Sequence, residues 1–168
     1  MPRSFDMATD YEGSVEQVHR AFGDERYWLA RLADSGADET SLDALNVTAD
    51  SGIDVVTTQV LRSDRLPGLV SQFHRGDLSI RREEHWQPIR DGRSSGAVTG
   101  TIPGAPVSLS GTATLVGTDG GSRLSVHITV EVKVPLVGGK IESFIGSQLT
   151  DLLIAEQRFT SVWITEHR

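Results

Sequence analysis

The densest group of residues able to do chemistry is Arg81-Arg82-Glu83-Glu84-His85-Trp86. On an extended strand, side chains alternate between faces, so Ile80, Arg82, Glu84 and Trp86 share one face and Arg81, Glu83 and His85 the other. Two arrangements are open. If the strand twists or bulges, the charges form a solvated ladder. If Ile80 and Trp86 face an interior, Arg82 and Glu84 go inside with them, and such a pair can orient the polar end of a ligand. A second signal lies near the C-terminus. A helical period runs from Lys140 to about Ile164, with Ile141, Phe144, Ile145, Leu149, Leu152, Phe159, Val162 and Trp163 on its apolar face. Ser143, Ser147, Thr150, Gln157, Arg158 and Ser161 form its wet face. Stepping about 100° per residue puts Gln148 and Glu156 inside the apolar stripe. A carboxylate there is costly unless it is paired, protonated or near water. Arg82 is the arginine that strand alternation sets beside inward apolar neighbours, and its guanidinium can hold a carboxylate bidentately. The spacing therefore predicts Glu156 in or at the rim of an interior space, paired with Arg82.

Other chemistries find little support. The five histidines, His19, His74, His85, His127 and His167, are scattered without ligand spacing, so no metal is expected. Gly138-Gly139-Lys140 fails as a phosphate loop, because the required upstream glycine is Val134 and the required Ser/Thr is Ile141. No G-x-S-x-G elbow occurs, and no catalytic residue or cofactor is assigned. A net charge of −7 argues against nucleic acid. No apolar run approaches the roughly 20 residues of an integral membrane segment, and the first residues lack a signal-peptide core. The lack of cysteine suits a reducing cytoplasm.

The elements that must position these residues follow from pattern. The 168 residues suit one domain, 1–168. Residues 3–9 read as a strand. Ser14-Val15-Glu16-Gln17 reads as a capping box opening a short helix with Val15, Val18 and Phe22 on one face and Gly23 as a left-handed stop. Asp24 caps a second short helix bearing Tyr27, Trp28 and Leu32. Strands are then expected over 42–49, 53–61, 78–89, 97–102, 107–116 and 123–134, separated by turn residues. In the last of them Leu124, Val126, Ile128, Val130, Val132 and Val134 alternate with polar residues, as in an antiparallel sheet with one wet face. The connection from Arg62 to Gly76 exceeds a simple turn and carries Leu66, Leu69, Val70 and Phe73 at helical spacing. It is either a lid or binding loop, or a surface loop folded onto the core.

Strand, two short helices, a run of antiparallel strands, Gly-Gly-Lys and a long helix together resemble the START-like helix-grip superfamily, which includes the birch-pollen allergen, polyketide cyclases and lipid-transfer domains. Residues 134–164, VPLVGGKIESFIGSQLTDLLIAEQRFTSVWI, are similar to an uncharacterised actinobacterial branch of it. The resemblance implies an α+β fold, in which a seven-stranded antiparallel sheet wraps around the long C-terminal helix and leaves a cavity. The face bearing Val126, Ile128 and Val130 should turn toward Ile145, Leu152 and Phe159. The expected function is a soluble binder or carrier of a small hydrophobic or amphipathic molecule of the lipid, polyketide or isoprenoid class. Phe73, Arg82, Glu84, Trp86, Leu149, Leu152, Glu156 and Phe159 are the expected binding residues. One alternative is a cyclase- or hydrolase-like enzyme using Glu156 or Glu84 as general acid/base at a raised pKa, with Arg82 holding an oxyanion. Another is a protein-interaction module using the 66–73 segment and the sheet edge.

Overall fold

The structure is a computed structural model that describes residues 2–66, 68–71 and 75–167. Strand β1 (Arg3–Tyr11) leads into helices α1 (Val15–Phe22) and α2 (Glu25–Asp34). Six strands follow: β2 (Glu39–Val47), β3 (Ile53–Leu61), β4 (Leu78–Trp86), β5 (Arg93–Thr101), β6 (Val107–Thr118) and β7 (Gly121–Val132). A 3-10 turn (Ser63–Arg65) and a short helix α3 (Gly68–Ser71) lie between β3 and β4, and α4 (Gly138–Glu166) closes the chain. The strands form one seven-stranded antiparallel sheet in the order β1-β7-β6-β5-β4-β3-β2. This is the predicted helix-grip architecture.

Local chemistry accounts for most boundaries. Ser14 Oγ accepts from the Gln17 amide at 3.2 Å, and Gln17 Oε1 accepts from the Ser14 amide at 2.9 Å, completing the capping box. Asp24 caps α2 through the Arg26 amide. Gly23 has φ −92°, so α1 ends without the expected left-handed residue; the Gly23 and Asp24 amides bond back to Arg20 and Ala21 instead. β5 begins at Arg93, four residues earlier than Ala97. Asp91 (φ 52°) and Gly92 (φ 74°) form a tight two-residue turn closed by the Arg90–Arg93 bridge, so the strand resumes at once.

Helix α4 crosses the concave face against β1 and β7. Ile128, Val130 and Val132 pack with Ile141, Ile145 and Leu149, joined by Phe5 and Met7. Gly146 permits the close approach: a Cβ there would lie 2.3 Å from the Phe5 ring. A second cluster centres on Phe22, Tyr27, Trp28 and Trp86, with the Phe22 and Trp86 rings 5.1 Å apart and Trp86 lying against Gly96. Leu153, Phe159 and Val126 pack onto it. Truncating one such buried aromatic typically costs about 3–5 kcal/mol.

The inner face of α4 is rotated from the predicted stripe. Glu142, Gly146 and Thr160 are buried, Leu153 takes the inward place expected of Leu152, and Val162 is 56% exposed. Counting apolar residues misplaces the seam because small and hydrogen-bonded polar residues occupy it. Thr160 donates to the Glu156 carbonyl at 2.8 Å, and Glu142 Oε2 accepts from the Val132 amide at 2.9 Å. Glu142 Oε1 is buried without a hydrogen bond among the described residues, 3.9 Å from Arg3 Nε. Glu142 thus ties the first turns of α4 to the end of β7. Glu142→Ala should orphan the Val132 N–H and lower stability by about 1–3 kcal/mol, read as a lower urea midpoint at unchanged slope.

In the 62–76 connection, Arg65 Nη1 bonds Asp38 at 2.9 Å and the Gly36 carbonyl at 2.8 Å. Phe73, expected as a binding residue, lies outside the described residues.

Candidate functional site

The face of β4 is decided by its register. Arg82 pairs with Thr57 and Glu84 with Val55, and both partners point into the core beside Ile53 and Trp86. Arg81, Glu83 and His85 face solvent, where Arg81 pairs with Glu83 and His85 with Asp54. Arg82 and Glu84 therefore stand inside, the second of the two arrangements open to the sequence. Their side chains are only 22% and 5% exposed.

Glu156 meets them from α4. Arg82 donates to Glu156 in a fork, Nη1 to Oε2 at 2.7 Å and Nη2 to Oε1 at 3.2 Å. Arg31 of α2 reaches the same carboxylate, Nη2 to Oε2 at 2.5 Å. Its guanidinium lies 4.6 Å from the Trp28 ring centroid, a cation–π contact. From there a hydrogen-bonded chain runs back to Glu156. Arg31 Nη1 donates to the Tyr27 hydroxyl at 3.1 Å, Tyr27 to Thr160 at 2.6 Å, and Thr160 to the Glu156 carbonyl. Glu84 Oε2 lies 3.2 Å from Arg82 Nε but accepts no hydrogen bond among the described residues. Trp86 Nε1 is likewise a buried donor without a partner among the described residues.

Burial alone would raise the Glu156 pKa, but Arg31 and Arg82 outweigh it and hold the carboxyl at about 2. A carboxyl this acidic carries no proton near neutral pH, so Glu156 does not meet the raised-pKa requirement of the enzymatic alternative. A depressed folded value stabilises the fold above the ordinary value of 4.5 and loses that contribution as pH falls toward about 2. The interval corresponds to about 3 kcal/mol. Urea melts between pH 5 and pH 2 should show this loss, and Glu156→Gln should flatten that part of the profile.

A pocket of about 70 Å³ opens beside the cluster between α2, α4 and β3–β4. Arg31, Arg82, Glu156, Asp34, Ser35, Thr57 and Gln59 supply its polar wall, while Trp28, Leu32, Leu152, Ala155 and Phe159 supply the apolar one. Pockets that envelop a whole ligand measure roughly 300–1,000 Å³. This one fits a terminal group, not the enclosing cavity expected from the resemblance. Of the residues singled out from sequence, Arg82, Leu152, Glu156 and Phe159 line it, and Glu84 adjoins Arg82 on the same strand face. Trp86 and Leu149 do not: Trp86 is packed on Phe22 and Gly96, and Leu149 belongs to the α4–β7 seam. Arg31 is the member that sequence reasoning missed.

A wider depression of about 470 Å³ lies between α1 and the 47–53 and 88–89 turns. Its charged groups Glu16, Arg20 and Asp50 are solvated, and buried His19 is satisfied by the Gln87 carbonyl at 3.1 Å. The smaller pocket has the desolvated ion cluster in its wall, so it carries the chemistry.

A sheet gripping a long helix, with a charged pocket at the helix flank, defines a protein of the birch-pollen-allergen-like and START-like helix-grip fold. Solved structures agree across nearly the whole chain. TTHA0849 from Thermus thermophilus gives a TM-score of 0.56 at 15% identity, covering 99% of both chains. Norcoclaurine synthase from Thalictrum flavum gives 0.60 at 13% identity, covering 99% of this chain and 88% of that one. Ara h 8.0201 gives 0.53 at 11% identity, covering 99% of both. The chain belongs to the family described as "Protein of unknown function (DUF2505)", which matches residues 6–164. It is 53% identical over 173 residues to the uncharacterized proteins Rv0481c of Mycobacterium tuberculosis (strain H37Rv) and Mb0491c of Mycobacterium bovis, covering 99% of each chain. These relatives are actinobacterial. No helix among the described residues is long and apolar enough to cross a membrane.

Proposed function

We propose that residues 1–168 act as one domain that binds or carries a small amphipathic molecule of the lipid, polyketide or isoprenoid class. Its polar end enters the pocket at Arg31, Arg82 and Glu156, and its apolar body rests on Trp28, Leu152 and Phe159. The observation that carries this reading is the desolvated ion cluster standing against an apolar mouth. Charges withdrawn from water are costly, and they are held here at a concave opening rather than replaced by packing. Leu152, 38% exposed on α4, gives a chain leaving the pocket an apolar surface to follow. The lack of cysteine fits a cytoplasmic setting.

The test is native mass spectrometry of protein purified gently from its own host. Wild type should retain a small molecule, and Ala155→Trp, which fills the mouth from an exposed helix position, should lose it. A wild type that carries nothing, or a variant that retains the same adduct, would overturn the reading.

A further inference from the structure

The charge count of the cluster constrains what the pocket accepts. Arg31 and Arg82 contribute two positive charges, and Glu156 and Glu84 two negative ones, all within the 2.5–3.2 Å contacts described above. The guanidiniums are therefore already neutralised. A ligand carboxylate entering beside them would leave an uncompensated negative charge in a desolvated site, in a protein whose net charge is −7. An uncharged group avoids that penalty.

Hydrogen-bonding capacity narrows the choice further. The pocket wall offers acceptors as well as arginine donors, in Glu156, the Asp34 carboxylate and the Gln59 amide oxygen. A carboxylate has only acceptors to offer, whereas a hydroxyl can donate to one of these and also accept from an arginine N–H. A pocket of about 70 Å³ has room for such a group with a water beside it.

Building on the ligand-binding role of this pocket, we infer that the polar end it takes is an uncharged hydroxyl, of an alcohol or phenol, in preference to a carboxylate. Glu84 sets this preference through its charge, which completes the neutralisation of Arg82.

The test is calorimetric titration at pH 7 with octan-1-ol and with octanoate, which share a chain and differ at the head. Wild type should bind octan-1-ol about tenfold or more tighter. Glu84→Gln leaves the cluster with one surplus positive charge, so the alcohol-to-carboxylate ratio should fall about tenfold or more. Octanoate binding wild type as tightly as octan-1-ol, or a ratio unchanged in a folded Glu84→Gln, overturns the inference and leaves the pocket assignment standing. Neither molecule binding at millimolar concentration overturns both. The wild-type comparison is decisive even if the variant fails to fold.

Discussion

Glu156→Ala is expected to lower stability by about 3–5 kcal/mol, because it strands two guanidiniums that a single carboxylate holds. Arg31 and Arg82 are 10% and 22% exposed, and with Glu156 gone the buried arginine charge exceeds what Glu84 can balance. Glu156→Gln should be milder, since an amide oxygen still accepts from one arginine. Thermal melts separate the cases: for a domain of this size each kcal/mol moves the midpoint by about 2–4 °C, so the alanine variant should melt at least about 6 °C lower. An alanine variant within about 1 °C of wild type would show that the ion cluster contributes nothing to the fold.

Ending the chain at Gly139 has the other large consequence. Helix α4 covers Ile128, Val130 and Val132 and brings Glu156 to Arg82. Without it the concave face of the sheet is exposed, and the truncated chain should unfold without a cooperative transition in circular dichroism. A sharp melt from the truncated chain would contradict the role given to α4.

The pairing of Glu156 with Arg82 was legible because each residue breaks its local pattern, a carboxylate in an apolar helix stripe and a guanidinium between inward strand neighbours. The same logic would have found Arg31, which lies on the buried face of α2 with Tyr27, Trp28 and Leu32. It would also have found Glu142, about four helical turns before Glu156 and on nearly the same face. The pocket's modest size was not legible. It depends on whether Leu152 or Leu153 turns inward, which follows from the helix rotation set where Gly146 meets Phe5. That contact joins the first strand to the last helix, and nothing in either segment alone announces it. Strand identities were readable from alternation, while β5 began early because Asp91-Gly92 makes a tighter turn than its polar composition suggests.

The central claim is that the pocket beside Arg31, Arg82 and Glu156 receives the polar end of a small amphipathic molecule. The most direct measurement is a nitrogen-15 NMR titration with octan-1-ol and with octanoate, following the tryptophan indole and arginine Nε–H signals. Trp28, Arg31 and Arg82 line the pocket, whereas Trp86 does not. Saturable shifts at Trp28, Arg31 and Arg82, with Trp86 much less affected, are the predicted result. Those three signals staying fixed, while residues of the depression around Val47 and Ile89 move or nothing moves, would contradict it.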